Sequence, residues 1–131
     1  MESYFTVAAK WWADCIRNPS IDNYYMGDDS VEGNFAMMAA FLKAQEHKPR
    51  PSDVEYFEHH LAEIIMRDVN SKARTFLMTS SEPKYQLREI AAIHHIDSSC
   101  FPLRTYMTIT KNEVSVNHGF EKPHMVIYSK N

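Results

Sequence analysis

Glycine is scarce in this chain of 131 residues, present only as Gly27, Gly33 and Gly119. Three isolated glycines supply neither a phosphate-cradling loop nor a dinucleotide fingerprint, both of which need glycines clustered within a few residues. That argues against a nucleotide enzyme. Cysteine is scarcer still, with Cys15 and Cys100 alone. Two thiols are too few to staple a small secreted fold, and a reducing interior keeps them free. Positive charge is in deficit: 14 Lys and Arg stand against 17 Asp and Glu, a formal net charge of −3. Such a balance opposes broad attraction to phosphate and makes direct nucleic-acid binding an unfavoured expectation. No apolar run approaches the roughly 18 residues that span a bilayer. The opening "MESYFTVAAKWWADC" lacks a basic leader region and carries charges inside its apolar stretch, unlike a signal peptide. These absences lead to the expectation of a soluble, cytoplasmic protein without a cofactor.

What is present is an ordinary globular composition, 44% hydrophobic and 24% charged, at a length that suits one domain over residues 1–131. "SYFTVAAKWWADCIRNP" reads as a first helix, with Tyr4, Ala8, Trp11 and Cys15 on one face, Phe5, Trp12 and Ile16 beside them, and Pro19 ending it. An acidic loop, "SIDNYYMGDDSVEG", follows, where Asp28, Asp29 or Ser30 can cap a second helix. That helix, "VEGNFAMMAAFLKAQEH", is apolar nearly all round, which predicts a place in the middle of the fold. "KPRPSD" breaks the chain before a third helix, "DVEYFEHHLAEIIMRDVNS", whose stripe is Val54, Phe57, Leu61, Ile64 and Ile65. Then "ARTFLMTS" reads as a strand and "PKYQLREIAAIHHI" as a fourth helix. "RTYMTIT", the turn "KN" and "EVSVNHG" read as a hairpin, and "HMVIYS" as a last strand. The fold class is therefore α+β: three N-terminal helices packed with a small, mostly antiparallel sheet, one further helix lying between its first and second strands.

Two segments hold the candidate functional residues. The first is the acidic loop, where Asp22, Asp28, Asp29 and Glu32 surround Tyr24 and Tyr25. Carboxylates steer a basic partner and tyrosines supply contact area, so this segment reads as a partner-binding surface, against the simpler role of a solvated helix cap. It is not a calcium loop: with Asp22 at position one, positions three and five are Tyr24 and Met26, and position twelve is Gly33. The second segment is "EIAAIHHIDSSCF", with His94, His95 and Cys100. A small metal- or Cys/His-dependent enzyme could use them, but adjacent histidines on a helix point about 100° apart, and no HExxH or CxxC accompanies them. No metal is expected. The same segment mimics a helix-turn-helix, the basis of a reading as a DNA-associated accessory protein. His95 stands where its turn wants glycine, and Pro102 would break the recognition helix at about 3 kcal/mol or more. His59 and Glu63, four residues apart, read as a solvated face. Asp68 falls within the apolar stripe of the third helix and calls for a partner, for which Arg74 or Arg88 would serve. Cys15 sits on a packed face and reads as inert.

The stretches "YFTVAAKWWADCIRNP", "FEHHLAEIIMRDVNSK" and "SCFPLRTYM" together resemble small proteins of prophages and conjugative elements in Gram-positive bacteria. They contain no catalytic motif, so no residue role carries over. The resemblance implies an accessory or anti-defence setting, including that of anti-CRISPR proteins that bind and block a host nuclease. The resulting expectation is a non-enzymatic binding protein whose partner is a basic nuclease or nucleoprotein complex.

Overall fold

Ser3 and Thr6 close a reciprocal capping box, each side chain taking the other's backbone N–H, and this starts helix α1 at Tyr4–Arg17. The computed structural model describes residues 2–119 and 123–130. After a 3-10 turn at Ile21–Tyr24 come helix α2, Val31–Glu46, and helix α3, Pro51–Lys72. Pro51 occupies the first turn of α3, where its fixed φ suits the helix and its missing N–H costs nothing. The 22 residues of α3 run to Ala73, which ends the helix in the left-handed conformation at φ 72°. Strand β1, Arg74–Met78, follows, then helix α4, Tyr85–Ile93, and a 3-10 turn at Ser98–Cys100. Strands β2, Thr105–Thr110, β3, Glu113–His118, and β4, His124–Ser129, complete the chain.

The four strands form one antiparallel sheet in the order β1-β2-β3-β4. Thus α4 lies between the first and second strands, as the sequence pattern predicts. Lys111 and Asn112 make the two-residue connection of the β2–β3 hairpin. One sheet face is apolar: Leu77, Met107, Ile109, Val114 and Val116 are buried against α1, α3 and α4. Phe57 and Leu61 of α3, Leu87 and Ile90 of α4 and Trp12 of α1 meet them there. Phe101, in the extended segment before β2, sits among these groups, its ring 5.8 Å from Phe57 and 6.4 Å from Trp12. The Trp12 indole N–H points at the Met107 sulfur, 3.3 Å away.

Two helical faces differ from the sequence pattern. In α1 the buried set is Tyr4, Ala8, Ala9, Trp12, Ala13 and Ile16, so the face is turned toward Trp12, while Trp11 is only half-buried. The reason is that α1 packs on α3 and on the sheet at once, with Trp12 reaching Met107 inside and Trp11 lying at the edge against His118. The larger difference concerns α2. An apolar circumference predicts a central helix, but Ala44 is the only residue of α2 that is buried. At about 100° per residue, its side chains fall into two opposed stripes. Met37, Ala40, Phe41 and Ala44 form one; Ala44 is buried and Met37, Ala40 and Phe41 are half-buried, on the side that meets the two 3-10 turns. Val31, Phe35, Met38 and Leu42 form the other and face solvent.

Asp68 is also resolved differently. It is half-buried, and its partner is the Gln86 side-chain amide of α4, not Arg74 or Arg88. The α3–α4 packing brings an amide to the carboxylate before either arginine reaches it.

Candidate partner-binding site

The 3-10 turn at Ile21–Tyr24 divides the acidic segment into an inward and an outward half. Asn23 and Tyr24 point inward, and the Asn23 carbonyl accepts the Leu103 N–H at 2.8 Å. Tyr24 is 2% exposed, its ring 6.2 Å from that of Phe41. Its hydroxyl has no hydrogen-bond partner among the described residues, and burial pushes the phenol up to about 12. Tyr24 is therefore an anchor for α2 and not part of a contact surface, a correction to the sequence-based expectation. A one-residue step through a tight turn reverses a side chain, and composition carries no trace of that. Asp22 stays outside.

Tyr25 is half-buried, and its hydroxyl donates to Asp29 at 2.8 Å. Asp28 accepts the Ser30 N–H at 2.9 Å, and hydrogen bonding from Ser30 holds its carboxyl below the usual carboxylate range. Ser30, not either aspartate, is the helix cap, taking the Gly33 N–H at 3.1 Å. Gly33 is required by this return of the chain, because a side chain there would run into the carbonyl and side chain of Asp28. Asp28, Asp29 and Glu32 are thus held, exposed, around the N-terminal end of α2. Lys43, His47, Lys48 and Arg50 are exposed at the other end. Each end carries the charge that complements the helix dipole.

Between these ends runs the open stripe: Val31 67% exposed, Phe35 71%, Met38 45% and Leu42 53%. The spacing is four, three, four, which keeps the side chains within about 60° of arc and matches the seam of a helix pair. Large apolar groups in a continuous exposed row mark a contact surface more often than a solvated face. The same spacing is readable in "VEGNFAMMAAFLKAQEH", but the second stripe opposite masks it by making the helix look apolar throughout.

The alternative site is not assembled. His94 is half-buried and its Nε2 lies 2.8 Å from Nδ1 of His60, a residue of α3 that the sequence pattern does not single out. Burial first, then repulsion from His60, holds the His94 imidazole below its ordinary value, with Asp53 opposing. His95 is exposed and takes the left-handed conformation at φ 59°, the geometry that would favour glycine. Cys100 is buried, donates its thiol to the His47 carbonyl at 3.3 Å, and is pushed up to about 11 chiefly by burial. His94 turns to His60, Cys100 to His47, and His95 to solvent. Among the described residues no three His, Cys, Asp or Glu side chains are grouped to hold a metal. Cys15, half-buried, is pushed up to about 12 by burial and by Asp14. The segment after α4 forms a single 3-10 turn and then an extended stretch containing buried Pro102, so no recognition helix follows. His59 is exposed near Glu55, and Glu63 pairs with Arg67, as a solvated face requires. No helix among the described residues is long and apolar enough to cross a membrane. No protein-family model and no curated protein matches the chain.

Proposed function

We propose that this chain is a non-enzymatic binding protein that takes a protein partner along the open stripe of α2 and the acidic groups at its N-terminal end. One observation carries the reading: Val31, Phe35, Met38 and Leu42 form an uninterrupted row of large apolar side chains in solvent. At about 25 cal/mol per Å² of apolar surface removed from water, covering that row would be the largest available gain on the surface of α2. The matching partner presents an apolar groove or helix face with basic residues placed opposite Asp28, Asp29 and Glu32. Asp22 lies outside the stripe and would act on approach and not in contact. The resemblance to prophage and conjugative-element proteins supports a setting for this chemistry. In that setting the partner is a basic nuclease or nucleoprotein complex of host defence, inhibited in the manner of anti-CRISPR proteins.

The test compares wild type with Phe35→Asp combined with Leu42→Asp. Both residues are exposed, so the fold should keep its melting temperature. Wild type should capture and inhibit a purified host defence nuclease, and the double variant should not. Full-strength binding by the double variant would overturn the reading. Sedimentation of the protein alone supplies the other decisive result. A concentration-dependent dimer abolished by the same variant would give the stripe to a second copy of this chain.

A further inference from the structure

The solvent face of the sheet carries a second group of exposed aromatic side chains, on residues other than those of α2. Phe76 on β1 and Tyr106 on β2 are diagonal neighbours, because Phe76 pairs with Thr108 and Met78 with Tyr106. Their rings stack 5.7 Å apart at 19°, and both stay exposed, Phe76 at 47% and Tyr106 at 42%. Tyr85, from the start of α4, stands edge-on to Phe76 at 6.3 Å. These rings line a cleft of about 790 Å³ with Lys72 and Arg74 at one end. Neither cation makes an ion pair with a described residue, and none of the described lining residues is acidic. Gln86 of the lining gives its side-chain amide to the Asp68 carboxylate. Tyr106 also borders a second cleft, of about 620 Å³, where Arg104, Ser80 and Asn117 gather. Tyr106 thus lines both clefts, with Lys72 and Arg74 bordering the first and Arg104 the second.

We infer that this face binds single-stranded nucleic acid. Unpaired bases stack on open aromatic rings, and every base has such a face, so sequence matters little. Lys72 and Arg74 suit the phosphates beside the stacked bases. A duplex buries the faces of its bases and could use only the cations. The net charge of −3 opposes non-specific attraction over the whole surface. It does not oppose a cleft whose described lining holds cations and no carboxylate, where local charge decides what enters. These rings and cations share no residue with the α2 stripe, and binding there goes beyond the protein-binding role.

Fluorescence anisotropy of a labelled oligothymidine strand of about 12 nucleotides tests it, with the matching RNA and a duplex of equal length in parallel. The single strands should bind and the duplex should not at the same concentrations. Phe76→Ala and Tyr106→Ala should each weaken binding about 5- to 150-fold. Tyr85→Ala, on a different element, serves if either of those variants loses its native circular dichroism. Lys72→Gln with Arg74→Gln should reduce the slope of log affinity against log salt by about 1.4, the value for two phosphate contacts to a single strand. Phe35→Asp with Leu42→Asp should leave strand binding intact, which separates this site from the α2 surface. Failure of both single strands to bind at about 50 mM salt overturns the inference. So does binding that is indifferent to the ring variants, or a thymidine monophosphate that binds as tightly as the strand.

Discussion

Helices α2 and α3 are consecutive, separated only by residues 47–50, yet their fates are opposite. Helix α3 interleaves its apolar residues with Glu55, Glu58, Glu63 and Arg67 and buries Val54, Phe57, Leu61, Ile65 and Val69. Helix α2 is apolar over most of its circumference and buries one alanine. Burial follows from the direction of a stripe and not from the number of apolar residues. One stripe with a charged back has one orientation against a core, and α3 takes it. Two opposed stripes cannot both be satisfied by one neighbour, so α2 lies at the margin with one side on the protein and one side open.

Trimming one leucine on each helix tests this contrast directly. Leu61 on α3 is fully buried among Phe57, Ile65 and the sheet, so Leu61→Ala should cost about 2–5 kcal/mol of unfolding free energy. Leu42→Ala on α2 should stay within about 0.5 kcal/mol, because the side chain is already more than half in water. Urea unfolding of both variants measures the difference. Equal losses would mean that the open stripe of α2 is covered in solution, and equal indifference would deny the α3 core.

A smaller effect sharpens the same contrast at the helix caps. Ser3 caps α1 and Ser30 caps α2, each through its hydroxyl. Either serine to alanine should cost its helix about 1 kcal/mol. For α1, packed on α3 and the sheet, the loss should lower the global unfolding midpoint. For α2, tethered through Tyr24, Phe41 and Ala44, it should appear as faster amide exchange along Val31–Glu46 with the midpoint hardly moved. A Ser30→Ala variant that shifts the midpoint as far as Ser3→Ala would make α2 part of the cooperative core.

The sequence carried the elements well and their environments unevenly. The α+β class, the helix between the first two strands, and the Lys111–Asn112 hairpin all rest on period and turn chemistry, which are local. The place of α2 rests on a choice between two faces of one helix, which is not local. For the same reason the acidic loop was legible as a segment but not as a surface. Asp28, Asp29 and Glu32 project outward, while Tyr24 enters the core through a single turn. The His60–His94 contact spans 34 positions, and the stacked Phe76–Tyr106 pair depends on register between two strands that α4 separates. Neither leaves a mark within one window of sequence.

The α3–α4 contact also gives a pH dependence. Burial and His60 keep His94 below the ordinary imidazole value of 6.5, while Asp53 pulls the other way and His95 adds slightly to the repulsion. In the unfolded chain the residue returns to its ordinary value, so between the two values the unfolded state binds more protons. The stability contributed by neutral His94 is therefore complete above about pH 6.5 and is lost as pH falls through the lower, folded value. Melting curves from pH 7.5 to 5 should fall, and His94→Gln should fall less steeply. Equal slopes would show that His94 is as free in the folded protein as in the unfolded one.

The smallest expected change in stability belongs to the acidic end of α2, and it is the one that bears most on function. Asp28, Asp29 and Glu32 are exposed, and Ser30 does the capping. The side-chain oxygen kept by Asp28→Asn would still accept the Ser30 N–H. Converting Asp28→Asn, Asp29→Asn and Glu32→Gln together should therefore scarcely move the melting temperature. If these carboxylates only complement the helix dipole, association with any partner on the α2 stripe should proceed at the wild-type rate. If they steer a basic partner, the association rate at low salt should fall, and its dependence on salt should flatten. At about 0.1 M salt, charges act over only about 10 Å. The comparison is therefore made at two ionic strengths on either side of that value, with dissociation followed separately. A slower approach with unchanged dissociation assigns the carboxylates to steering and leaves Phe35 and Leu42 to hold the complex. Identical rates in the triple variant and wild type would reduce the acidic end to a solvated helix start and leave the apolar stripe as the whole of the surface.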